Sequence, residues 1–123
     1  MISMQELNPH NYATDATTAD NLNKLLSVMN QIRAAYGKPM TVNSGLRSQA
    51  DQDRINPKAP KSNHLKGLAC DIADADAALW AWCMVNMPLM EKLGVYFEDK
   101  NASPTWVHFQ IVAPASGKRI FKP

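Results

Sequence analysis

The apolar residues of this chain fall into a few short and distinct rhythms. Leu22, Leu25, Leu26, Met29, Ile32 and Tyr36 recur at steps of three and four, with Asn, Lys, Gln and Arg between them. That spacing predicts an amphipathic helix from Thr18. Thr17 or Thr18 is placed to cap its start, and Gly37 followed by Pro39 to stop it. The residues before it, 1–17, are polar and without period and read as an irregular arm. Met40–Asn43 is a short strand candidate that runs into the turn signal Ser44-Gly45. Ser48-Gln49-Ala50-Asp51 has the Ser-x-x-acid form of a helix start, and a short helix to about Ile55 follows. Asn56–Asn63 holds two prolines and two lysines and reads as loop.

Beyond Gly67, Leu68–Ala73 reads as a second strand. Asp74 or Asp76 is then placed to cap a helix carrying the nine-residue apolar run Ala77–Val85. A run without a polar face predicts burial on several sides. Pro88 interrupts it, and a last turn ends at Gly94. Val95–Glu98 and Trp106–Val112 read as two strands joined by the turn-rich segment 99–105, and 113–123 as a C-terminal tail. The order predicts one α+β domain over residues 1–123, with a small, mainly antiparallel sheet and helices packed on one side.

Composition narrows the partners. The chain has 123 residues, 46% hydrophobic and 20% charged, as a folded globular domain does. A net charge of +2 is too small for a general nucleic-acid binder. The nine-residue run is far short of the roughly 20 residues a membrane span needs, so no membrane insertion is expected. Met1–Asn11 carries Gln, Glu, Asn and His where a secretory signal has an apolar stretch, so cytoplasmic synthesis is expected. A monomer is expected. Cys70 and Cys83 sit among apolar neighbours and read as buried free thiols.

The residues able to handle protons or metals are few: three His, three Glu and eight Asp. Strand alternation sets Cys70 and Ile72 on one face and Asp71 on the other. A carboxylate in the stretch Ala69-Cys70-Asp71-Ile72-Ala73 needs a cation, a set of backbone donors or a metal. His108 alternates with Trp106 and Gln110 in the last strand and is either hydrogen-bonded core or a ligand. His64, Asp71 and His108 together supply three protein ligands and leave a fourth position for water, as a catalytic zinc requires. A hairpin turning around Ala102–Pro104 sets Glu98 nearly opposite His108, making it the candidate general base. A register slip of one residue would put Asp99 there instead. Arg47, after the Ser44-Gly45 turn, is either a solvated side chain or a group holding a carboxylate or oxyanion. Ser62 either binds a substrate terminus or caps a turn.

Three blocks in this order, Ser44-Gly45-Leu46-Arg47-Ser48, Ser62 to Ile72 with His64, Gly67, Ala69 and Asp71, and Trp106-Val107-His108, resemble the zinc D-alanyl-D-alanine carboxypeptidase family. Phage L-alanyl-D-glutamate endolysins belong to the same group, and the hedgehog signalling domain is similar in fold and zinc ligands. The resemblance spans about residues 20–112. It implies that His64, Asp71 and His108 bind one zinc ion, that Arg47 contacts substrate or transition state, and that Ser62 lies in the substrate-binding region. It implies a zinc metallopeptidase of carboxypeptidase or endopeptidase type acting on the peptide of peptidoglycan, as a phage or prophage endolysin released to the host wall. Two positions depart from the family pattern. Leu46 replaces a common aromatic, and Thr105 stands where many members carry an acid three residues before the last His. Some phage-type relatives take that acid from the preceding strand, where Glu98 lies. The rivals are a non-catalytic zinc-binding module of the same fold and a metal-free interaction domain.

Overall fold

The computed structural model describes residues 1–123. Its longest helix, α2 (Ala16–Tyr36), follows the predicted rhythm, and Leu22, Leu25, Met29 and Ile32 are the buried positions. Its cap is Asp15, not Thr17 or Thr18: the Asp15 carboxylate accepts from the Thr18 amide. Asp15 thereby starts the helix two residues earlier. Gly37 ends it, as expected.

The segment before α2 is ordered, which corrects the expected irregular arm. Ser3 and Glu6 form a reciprocal capping box around α1 (Met4–Leu7), and Leu7 is wholly buried. Asn30 of α2 exchanges two hydrogen bonds with the backbone of Ile2. A four-residue helix is too short to show a period, so its anchoring apolar residue was not visible as a pattern.

Five strands form one mixed sheet in the order β1-β2-β4-β3-β5. They are β1 (Val42–Ser44), β2 (Ala69–Ala73), β3 (Tyr96–Glu98), β4 (Trp106–Gln110) and β5 (Ile120–Phe121). The first three pairings are antiparallel, and β5 joins β3 in parallel. The expected tail therefore contains a strand, too short to be recognised by alternation. Ile111 and Val112 fall outside β4, though the Ile111 amide still bonds Leu68 O.

Alternation divides the sheet as predicted. Cys70, Ile72, Phe97, Val107 and Phe109 join α1, α2 and the later helices in a single core. Asp71, His108 and Gln110 take the other face. Both cysteines are free and buried. Burial pushes the Cys83 thiol up to about 12.

Helix α3 (Gln49–Ile55) begins at Ser48, which accepts from the Asp51 amide as its spacing predicts. Helix α4 (Ala78–Val85) is anchored by Asp74, whose two oxygens accept from the amides of Leu79 and Trp80. Deep burial of α4 is not observed: only Leu79 and Cys83 are buried, while Val85 is 82% exposed. Trp80 and Trp82 pack half-buried against the core beside them, while Met84 and Val85 face outward. Pro88 sits in the first turn of α5 (Met87–Leu93), where a missing amide hydrogen costs nothing. No helix is long and apolar enough to cross a membrane.

Candidate active site

The polar face of the sheet meets two turns. In the first, the bulged end of β1 leads through Ser44 and Gly45 to Arg47. Gly45 cannot be replaced by a larger residue, because a Cβ there would lie 2.2 Å from Leu7 O. The Leu46 amide donates to that same carbonyl at 2.7 Å. In the second turn, Ser62 caps a short 3₁₀ segment, Asn63–Lys66, by accepting from the His64 amide. Gly67 closes it at φ +71, packed so closely on α2 that a Cβ would meet Leu22 at 2.8 Å. The two turns are joined where the Arg47 amide donates to His64 O.

These turns deliver His64 beside Asp71 and His108. Asp71 and His108 are direct cross-strand partners in β2 and β4. His108 Nδ1 lies 2.9 Å and His64 Nε2 3.4 Å from the same oxygen, Asp71 Oδ1. One candidate ligand atom from each residue lies within 4.8 Å of the other two. Continuing the register of β3 and β4 sets Glu98 opposite His108, with Glu98 Oε1 3.8 Å from His108 Nδ1. Ser103 donates its hydroxyl to the other oxygen of Glu98 at 2.9 Å. Asp99 instead accepts from the Asn101 amide within the hairpin turn, so the register favours Glu98.

Neighbouring groups fix which ring nitrogens carry protons. His64 Nδ1 lies 2.9 Å from Gly45 O, which can only accept, so Nδ1 is protonated and Nε2 offers a lone pair. The Gln110 amide nitrogen donates to Val112 O, turning its carbonyl oxygen towards His108 Nε2 at 3.0 Å. His108 therefore protonates at Nε2 and presents a lone pair at Nδ1. Two imidazole lone pairs and a carboxylate oxygen thus converge within hydrogen-bond reach. Such an arrangement repels itself unless a cation or added protons sit between the atoms. Two nitrogens and one oxygen suit zinc, and the outer hydrogen bonds are those that orient metal-bound histidines. Without metal, protons fill the role. Burial would raise the Asp71 carboxyl, but hydrogen bonds and charge from His108 and His64 outweigh it and hold it far below its ordinary range. Burial likewise disfavours charged His108, but Asp71 and then Glu98 push its pKa up.

Arg47 lies in the site. Its Nη2 contacts the second Asp71 oxygen at 3.2 Å, Nε donates to Ser44 Oγ and Nη1 to Gln52 Oε1. Burial lowers the Arg47 pKa, and the nearby acids Asp71 and Asp51 partly oppose that. Gln52, 1% exposed, also donates to Asn56 O and Ala59 O, tying Arg47 to the loop that follows α3. The roles of Gln52, Ser103 and Gln110 were not anticipated from the sequence. Only Gln110 left a signal, its place on the same strand face as His108. Arg47, Gln52, His64, Asp71, Glu98, His108 and Gln110 border a cavity of about 620 Å³, with Ser62, Trp106 and Phe121 among its other lining residues.

No curated protein matches the chain. Among solved structures, the crystal structure of Serratia marcescens L-Ala D-Glu endopeptidase ChiX is similar, with a TM-score of 0.53 and 22% sequence identity. The similarity covers 86% of this chain and 95% of that one, and it shows a shared fold. The sequence pattern of the Peptidase M15 family matches residues 2–108, a stretch that contains His64, Asp71, Glu98 and His108. The chain belongs to the Peptidase M15 family.

Proposed function

We propose that the protein is a zinc-dependent peptidase that hydrolyses peptide bonds in the stem peptides of peptidoglycan. The observation that carries this is the convergence of His64 Nε2, Asp71 Oδ1 and His108 Nδ1 beside a further carboxylate, Glu98, at an open cavity. Membership of a zinc-dependent peptidase family supports it. His64, Asp71 and His108 would hold the ion, which when bound lowers the pKa of a water and polarises the scissile carbonyl.

The remaining work falls to the chain. Glu98, steadied by Ser103, accepts the proton of the attacking water and returns it to the leaving amine. Arg47 has two of its five N–H groups without a partner in the fold, and these stabilise negative charge on the carbonyl oxygen. Ser62 Oγ accepts from the His64 amide, so its O–H remains to donate to the substrate backbone.

The similar structure is that of an L-Ala D-Glu endopeptidase. Cleavage of that bond or removal of a terminal D-alanine is the activity proposed here. The resemblance to phage endolysins extends the proposal to lysis of a host wall, reached by a protein made in the cytoplasm.

Purified cell walls test this directly. Wild type should clear them with zinc, stop after chelation and recover when zinc is restored. Glu98→Gln should keep zinc and fold but lose about 10²–10⁴-fold in rate. Full activity in that variant removes Glu98 from the base role. A zinc-loaded wild type that clears nothing identifies a non-catalytic zinc module. Mass spectrometry of the released peptides names the bond.

A further inference from the structure

The cavity is bordered by two segments that supply none of the three converging ligand atoms. One is the loop after α3, with Asn56, Ala59 and Lys61; the other is the C-terminal stretch, with Pro114, Phe121 and Lys122. The second segment lies beyond the family match, which ends at His108.

Both segments are fixed close to the site. Strand β5 is tied to β3 by Phe97 N to Arg119 O at 3.0 Å and Asp99 N to Phe121 O at 2.7 Å. Phe121 is buried, with its ring edge-on to His108 at a centroid distance of 6.1 Å. Lys122 is the next residue. In the loop, Lys61 directly precedes Ser62, the cap of the His64 turn. Each lysine thus adjoins a residue held against the site.

Charge accounting singles these lysines out. The Arg47 cation faces Asp71, and Asp71 has both oxygens engaged. Lys61 and Lys122 are the other two Lys or Arg side chains bordering the cavity. Both are exposed, and neither lies within ion-pair distance of a carboxylate. Neither forms an ion pair with the site's own acids, Asp71 and Glu98.

We propose that Lys61 and Lys122 are specificity-determining residues that hold a carboxylate of the substrate beside the scissile bond. This rests on the peptidase function proposed above. The cavity then selects a stem peptide with free carboxylates over the same peptide amidated at those groups. Arg47, pinned in the floor by three hydrogen bonds, serves the reacting carbonyl instead.

The test compares a synthetic stem peptide with its amidated form, using the zinc-loaded wild type, Lys61→Gln, Lys122→Gln and the double variant. The ratio of kcat/KM for acid over amide should fall about fivefold in each single variant and about twentyfold in both together. The wild-type ratio should shrink as salt rises. An unchanged ratio in the double variant overturns the proposal, as does a wild type that cleaves both peptides equally well; either leaves the peptidase function standing. Equilibrium binding of the two peptides to Glu98→Gln, with and without the lysine substitutions, separates the reverse case. Acid-selective binding that depends on the lysines, with no cleavage by wild type, supports the carboxylate site and removes the peptidase function. Equal binding of acid and amide overturns the carboxylate site.

Discussion

Asp71 is the residue on which the candidate site turns. One of its oxygens faces His64 and His108 and the other faces Arg47, so a single carboxylate sets both the ligand atoms and the guanidinium. Gln110 matters for a different reason: it decides which nitrogen of His108 is free. Gln110→Ala removes that instruction while the strand pairing of β4 stays in place. Zinc should bind about 10–100-fold more weakly to the variant, measured by competition with a chelating dye, with the circular dichroism spectrum unchanged. Equal zinc affinity would show that Asp71 alone orients the ring. Alternation along their strands placed Asp71 and His108, and register across the hairpin placed Glu98, while His64, on a turn, was legible through its spacing from Asp71 and the family resemblance. Gln52, Gln110 and Ser103 were not, because an amide or hydroxyl acquires a role only from the partner that folding brings to it.

Elements differ in how much of themselves they display in sequence. Helix α2 spans 21 residues and announces itself through repetition. Helix α1 and strand β5 have four and two residues, too few to repeat anything, and what holds them is tertiary. Helix α4 failed in the opposite sense, because an unbroken apolar run carries no information about which side is covered. The contribution of α1 can be measured. Leu7 is wholly buried in the core, and Leu7→Ala should lower stability by about 2–5 kcal/mol, read from urea unfolding. A loss under about 1 kcal/mol would mean that α1 is only loosely docked.

At the scale of the molecule, the site is assembled from positions 45, 64, 71, 98 and 108 and exists only when the sheet has formed. Zinc should therefore stabilise the fold by mass action, by about 2.7 kcal/mol at a free concentration a hundredfold above Kd. For a chain of this size that corresponds to a rise of about 10 °C in Tm. Scanning calorimetry with zinc and then with chelator checks this, and an unchanged Tm would argue that the three residues hold protons only.

The backbone of Leu7 presses on Gly45, and the carbonyl of Gly45 sets the His64 ring; at the other end, Phe121 lies against His108. A change that shifts Leu7 therefore reaches His64 through Gly45, and one that shifts Phe121 reaches His108 directly. The turn at Gly37, with open space around it, is the safer place to tether the protein to a surface or a reporter.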